Sequence, residues 1–182
     1  LGRGSDYAPT YWIATAGQPP EDDGPVTGDM DVDVAVIGSG YTGLNCAIAL
    51  ARDHGMQPVV LEAHGTAYGC STRNGGQAQF SAGRLKRSQW IERWGLDVAR
   101  RLHGEMLEAF DYWRSQIRDH GIDCDPQDGG HYYIAHKASV VPGMAREAEL
   151  LRDRFGYGAK MMSRDEVMAE VIRDHEAQGA MF

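Results

Sequence analysis

Two groups of residues carry recognisable chemistry. The first is the run Gly38-Ser39-Gly40-Tyr41-Thr42-Gly43 together with Glu62. The run has the form G-x-G-x-x-G, follows an apolar stretch of strand character and opens a stretch of helix character. Glu62 closes the next apolar stretch about 20 residues beyond the third glycine. Each piece has a task in holding a dinucleotide. Gly38 lets the chain turn tightly from strand to helix, and Gly40, without a Cβ, admits a pyrophosphate to the backbone. Gly43 lets the helix lie close to the sheet. The helix N-terminus adds unpaired N–H groups and a partial positive charge for the phosphates. A carboxylate at Glu62 accepts hydrogen bonds from ribose hydroxyls and repels a 2′-phosphate, which argues against NADP. A glycine-rich turn with no ligand is the structural alternative, and the spacing to Glu62 weighs against it.

The second group is the loop Ala67-Tyr68-Gly69-Cys70-Ser71-Thr72-Arg73-Asn74-Gly75-Gly76-Gln77. An NAD-binding fold normally crosses over after its second strand, through a helix, to a third parallel strand. Here the chain enters a small-residue loop instead, with hydroxyls, a guanidinium and side-chain amides suited to a pyrophosphate and the edge of a flavin ring. Arg73 would offset phosphate or flavin charge, and Gly75-Gly76 would let backbone approach a flat ring. The combination favours FAD. An NAD-linked dehydrogenase built on the same turn, a non-catalytic module binding FAD or another nucleotide, and a plain exposed polar turn stay open at this point.

The elements that must position these groups follow from periodicity and punctuation. Asp31 to Ile37 alternates and then turns wholly apolar, as a strand entering a parallel sheet does. Leu44 to Arg52 reads as a helix with Leu44, Ile48 and Ala51 on one face, stopped by Gly55. Pro58 to Leu61 is a short strand, and residues 65–83 read as loop. Ser88 is placed to cap a short helix through Trp94. Residues 96–120 form one long amphipathic helix, with a stripe of Leu102, Met106, Phe110, Trp113 and Ile117 read as core, ended by Gly121. A strand is expected over Gly130 to Ala135 and a helix over Gly143 to Phe155. A capping box at Ser163-Arg164-Asp165-Glu166 opens another short helix, and Gly179 to Phe182 begins a strand. Tyr11-Trp12 marks the part of the N-terminal arm that packs on the following domain.

Composition narrows the class. Hydrophobic residues make up 42% and charged residues 24% of 182 residues, which fits a folded globular chain. The formal net charge of -8 gives no footprint for nucleic acid or an anionic membrane, and no apolar run reaches the length of a membrane helix. Cys46, Cys70 and Cys124 are odd in number and widely spaced, which reads as reduced thiols in the cytoplasm. The histidines lack zinc spacing, so no metal is expected. Catalytic residues are not identifiable: there is no paired carboxylate and no nucleophile–base pair, and His131, Tyr132 and Tyr133 fit strand packing better than substrate contact.

Val36 to Leu44, then Leu61-Glu62-Ala63, then Ser71 to Gln77 resemble the D-amino-acid-oxidase-like superfamily of FAD-dependent oxidoreductases, within it the branch of gamma-glutamylputrescine oxidase and related amine oxidases. Ile122-Asp123-Cys124-Asp125, Gly129-Gly130-His131 and Tyr11-Trp12 are similar to that branch as well. The resemblance implies fold class α/β: a Rossmann-like FAD-binding domain, a parallel sheet with helices, plus the beginning of a mixed α+β substrate domain. The organisation expected is an N-terminal arm over 1–30, the first part of the FAD-binding domain over 31–90, and a long helix with an incomplete substrate domain over 91–182. Family members are commonly more than twice this long, so the chain is expected to be an N-terminal fragment, inactive alone. The resemblance implies oxidation of the C–N bond of an amine or amino acid, with hydride passing to the flavin and then to oxygen or another acceptor. It implies cofactor contacts at Gly38, Gly40, Tyr41, Thr42, Gly43, Glu62, Ala63, Ser71, Thr72, Arg73, Asn74, Gly75, Gly76 and Gln77. Some relatives link the flavin through a His in this loop. Arg73 stands at the corresponding place and forms no such bond, and Cys70 fits a small buried thiol better than an attachment point, so non-covalent binding is favoured.

Overall fold

The structure, a computed structural model, describes residues 7–79 and 83–182. Residues 1–6 of the expected arm and residues 80–82 of the expected loop lie outside the described residues. The chain divides into two compact units, Leu1–Gln77 and Ala78–Phe182.

In the first unit, β1 (Val34–Ile37) and β2 (Pro58–Leu61) pair in parallel, with Val34 opposite Pro58 and Ile37 opposite Leu61. A helix joins them. This is the βαβ connection that parallel pairing demands, and among the described residues the parallel sheet has these two strands, so a full Rossmann sheet is not formed by them. The first strand is shorter than the expected Asp31–Ile37, because its partner begins only at Pro58. Asp33 instead takes the Gln57 N–H on its carboxylate at 2.9 Å, which sets the register. A short helix, α1 (Tyr11–Thr15), precedes the sheet.

The connecting helix α2 spans Tyr41–His54 and starts inside the glycine run, three residues before the expected Leu44. Gly55 ends it in the left-handed region at φ 62°. Gly43 sets its rotation: a Cβ there would strike the Gly38 carbonyl and press on Val36. Four residues on, Ala47 is the buried position of the helix, while Ile48 and Ala51, expected on the inner face, are exposed. Ile37 is 79% exposed, so α2 does not cover the whole sheet.

The second unit is an α+β assembly: α3 (Arg87–Trp94), α4 (Leu96–Asp119), α5 (Val141–Phe155), and an antiparallel sheet of β3 (Tyr133–Ala135), β4 (Met161–Ser163) and β5 (Gly179–Met181) with β5 central. The boundary drawn from the sequence after residue 90 cuts α3, whose packing on α4 and α5 places it wholly in this unit. Strand β3 begins at Tyr133 rather than Gly130, because its partner strand ends opposite at Met181. Tyr132, just outside the ladder, stacks on Phe182 at 4.6 Å. Helix α5 starts two residues before the expected Gly143, with Pro142 in its first turn, where a missing N–H is harmless. The capping box at Ser163 and Glu166 forms as expected, with Ser163 N–H donating to Glu166 Oε2 at 2.7 Å, and opens α6 (Arg164–Glu166), which widens into a π turn over Val167–Val171.

Ser88 is not the cap expected of it. Helix α3 starts one residue earlier, and the Ser88 hydroxyl donates to Glu147 Oε2 of α5 at 2.6 Å while its N–H reaches Oε1 of the same carboxylate. A tertiary carboxylate thus serves the first turn of α3. The α4 stripe is only half-buried, with Trp113 at the surface, and the closed positions are Ala99 and His103. His103 packs against Phe155 and Tyr157, at 4.9 and 5.8 Å between ring centroids.

Burial, and secondarily the Arg87 guanidinium, holds the pKa of His103 below the ordinary histidine value. The unfolded chain therefore takes up this proton first as pH falls below about 6.5, and stability drops from there down to the depressed native value. In urea titrations the midpoint is expected to decline as pH is lowered through this range, and to decline less in His103→Gln. An equal decline in both proteins would place the effect elsewhere.

Candidate functional site

The glycine turn and the polar loop meet in one cleft of the first unit, about 440 Å³ in volume. Gly38, Gly40, Tyr41, Thr42 and Gly43 line it from the turn and the start of α2, and Ser71 and Asn74 from the loop. Ile37, expected only as a strand end, and Cys70, expected as a small thiol rather than an attachment point, line it too. Cys70 is exposed, a correction to its reading as a buried thiol: it opens a 3-10 turn over Cys70–Thr72 that carries it to the surface.

The turn is built for close approach. Gly38 sits at φ 94°, a conformation that L side chains avoid, and its N–H donates to the Leu61 carbonyl at 2.7 Å, tying the turn to the end of β2. A Cβ on Gly40 would lie 3.1 Å from Ser71 Oγ, so the missing side chain leaves the room between turn and loop. The first intrahelical bond of α2 is Leu44 N–H to the Gly40 carbonyl. The N–H groups of Tyr41, Thr42 and Gly43 precede it, at the positive end of the helix dipole. Tyr41 N–H donates to Ser71 Oγ at 3.0 Å, and no acidic side chain stands in the first turn. This cradle of backbone donors, Cβ-free glycine and a hydroxyl suits a pyrophosphate.

Below the cleft, Glu62 and Ser39 form a brace. Glu62 Oε2 accepts from both the N–H and the hydroxyl of Ser39 at 2.9 Å, while Oε1 accepts from Ala63 N–H at 2.9 Å and His64 N–H at 3.2 Å. Ser39 Oγ in turn accepts from Ala67 N–H at 2.8 Å. These donors, led by the Ser39 backbone, hold the Glu62 carboxyl below the usual glutamate range. Its stabilising contribution is present above that range and is lost as pH falls through the depressed value. Ser39 occupies a variable position of the motif and is 4% exposed; only its tertiary partners reveal its role.

The remaining expected contacts lie outside the cleft lining. Thr72 Oγ1 donates to the Ala67 carbonyl at 3.1 Å. Arg73 donates through Nε to the Tyr68 carbonyl at 3.1 Å and lays its guanidinium 4.5 Å over the Tyr68 ring. Gly75 and Gln77 are exposed. The flat ring against Gly76 is the indole of Trp12, into which a Cβ would run. Ser39→Ala removes a donor to Glu62 and leaves Ala67 N–H without its acceptor, so a loss of about 1–2 kcal/mol is expected in urea unfolding. An unchanged midpoint would show that the brace does not hold turn and loop together.

The family model for FAD dependent oxidoreductases, DAO, matches residues 33–182. Gamma-glutamylputrescine oxidoreductase of Escherichia coli K12 is 38% identical over 130 residues, 69% of this chain and 29% of that protein. Probable oxidoreductase OrdL of Rhizobium meliloti is 33% identical over 150 residues, 81% of this chain and 34% of its own length. An OrdL of Haemophilus influenzae is 36% identical over 107 residues, 58% of this chain and 24% of its own. The chain thus spans about a third or less of the length of each of these three relatives. With its glycine cradle, its braced turn and a family match over most of its length, the chain belongs to the DAO family of FAD-dependent oxidoreductases.

Proposed function

We propose that this chain supplies the adenosine-diphosphate part of the FAD site of an oxidoreductase acting on the C–N bond of an amine or amino acid. The cleft where the glycine turn meets the Cys70–Asn74 side of the loop carries this reading. Similarity to a relative named for gamma-glutamylputrescine supports the amine class. When bound, FAD supplies the capacity to take two electrons and a proton from the carbon bearing the amine, and to pass electrons on to oxygen or another acceptor.

The chain's own residues bind and orient. The first-turn amides of Thr42 and Gly43 would hold the phosphates, assisted by the dipole of α2. The Ser71 hydroxyl and Asn74 close the opposite side. Glu62 keeps turn, strand and loop in register, and an adenosine ribose hydroxyl would join or replace one of its four donors. Arg73, engaged with Tyr68, holds the loop. The cofactor is held without a covalent bond; Cys70, in the cleft, is the one lining thiol that a covalent link would use. In this reading the first unit belongs to the FAD-binding domain and the second to the start of the substrate domain, the protein works in the cytoplasm, and it needs no metal. No helix among the described residues is long and apolar enough to cross a membrane.

The test is reconstitution of the protein at its full natural length with excess FAD. The visible flavin spectrum is expected, with bleaching when amines are added without oxygen and release of free flavin on acid precipitation. Flavin retained in the precipitate, and released by Cys70→Ala, would instead show a thiol link. Tight NADH binding with no flavin uptake would transfer the site to an NAD-linked dehydrogenase, and bound flavin that no amine or amino acid reduces would leave a binding module. Gly40→Val, whose side chain would enter the space before Ser71 Oγ, is expected to weaken FAD binding by about tenfold or more, ~1.4 kcal/mol.

A further inference from the structure

The segment ahead of the family match makes three side-chain hydrogen bonds to carbonyls of the cofactor loop. Tyr7 Oη donates to the Thr66 carbonyl at 2.7 Å, Thr10 Oγ1 to the Thr72 carbonyl at 3.2 Å, and Trp12 Nε1 to the Asn74 carbonyl at 2.7 Å. Thr10 Oγ1 also accepts from Ile13 N–H at 3.3 Å, so the residue that caps α1 is itself one of the rungs. Two glycines of the loop are fitted to these side chains. A Cβ on Gly65 would come within 2.6 Å of Tyr7 Oη, and one on Gly76, already at φ 71°, would run into the Trp12 indole. The family match begins at residue 33, so these arm residues lie outside everything it describes.

The three carbonyls bracket the loop residues that face the cleft. Ser71 lies between the Thr66 and Thr72 rungs, and Asn74 carries the third rung on its own carbonyl. Asn74 also donates from Nδ2 to the Ser71 carbonyl at 3.1 Å and accepts from Gly76 N–H at 2.8 Å. The loop's own turns hold its local shape, the Ala67–Ser39 and Tyr41–Ser71 bonds tie it to the glycine turn, and the arm pins three of its carbonyls from outside. None of Tyr7, Thr10 and Trp12 lines the cleft.

We infer that the arm is a positioning strap for the cofactor: Tyr7, Thr10 and Trp12 hold the loop in its binding shape before FAD arrives. The inference rests on the cleft being the FAD site. A ligand that binds only the ordered loop has its apparent affinity reduced by the fraction of molecules in which the loop is ordered. Loosening the strap lowers that fraction, and with it the rate of capture. Release is set by contacts within the cleft and does not change. Residues that touch the cofactor show the opposite split.

The test measures FAD association and release by flavin fluorescence in apoprotein of full natural length. Trp12→Phe keeps an aromatic side chain, though a smaller one than the indole, and removes the donor; Thr10→Val and Tyr7→Phe remove the other two rungs. Trp12 is 39% exposed, so water competes for its bond. Each single change is expected to raise Kd by about 2- to 3-fold, the low end for a neutral hydrogen bond, and the triple by about 10-fold. The loss should fall on association, with the release rate unchanged. Ser71→Ala, inside the cleft, should instead speed release. A wild-type Kd in the triple variant, or a loss carried by faster release, overturns the inference while leaving the FAD site intact. A wild-type protein that takes up no FAD overturns the reading of the cleft and the strap with it. If the triple variant does not fold, Trp12→Phe and Tyr7→Phe carry the same comparison.

Discussion

Ser39, a buried residue, sets its hydroxyl between the Glu62 carboxylate and the Ala67 N–H, and the first unit depends on that placement. One buried oxygen ties the glycine turn to the end of β2 and to the start of the polar loop. Glu62 completes the brace by taking four donors on two oxygens, three of them backbone N–H groups. Such a carboxylate has its charge satisfied by oriented dipoles rather than by a cation. The unit needs this because its apolar core is small: Ala47 and Tyr68 are its buried hydrophobic residues among those described.

With turn and loop braced, the cleft follows from what is missing. Gly43 lets α2 begin against the Gly38 carbonyl, and Gly40 leaves the gap in front of Ser71. The same logic runs through the loop, where Gly76 gives way to the Trp12 indole. In each case the absent Cβ serves a different neighbour: backbone, hydroxyl or aromatic ring. The second unit is held differently, by apolar clusters around Met162, Val167 and Ala180 and around Ala148 and Leu151. The Ser88–Glu147 pair links α3 to α5 there.

Much of the local structure could be read from the chain. The β2 strand matched its expected bounds, α4 ended one residue early, and the Gly55 stop and the Ser163 capping box formed as expected. These features depend on contacts within a few residues, where backbone preference and periodicity decide. Strands β1 and β3 are shorter than their sequence patterns, because a strand extends only as far as its partner does. The rotation of α2 departs from its apolar periodicity and buries Ala47 rather than Ile48 and Ala51, since Gly43 packing sets it. Strand β4 has no alternation to reveal it and exists because β5 pairs with it.

For the site, the sequence by itself determined that a turn of this form precedes a helix and that an acidic residue waits at the end of the next strand. That is information about chain order and spacing. Tertiary structure decided what each residue does. It turned the Glu62 carboxylate onto Ser39 to brace the turn, laid Arg73 on Tyr68, put an indole against Gly76 and brought Cys70 into the cleft. The physical reason is that a hydrogen bond or a ring contact is made with whatever lies within a few ångströms. For Tyr7, Thr10 and Trp12 those partners stand about sixty residues along the chain, beyond the reach of any local pattern.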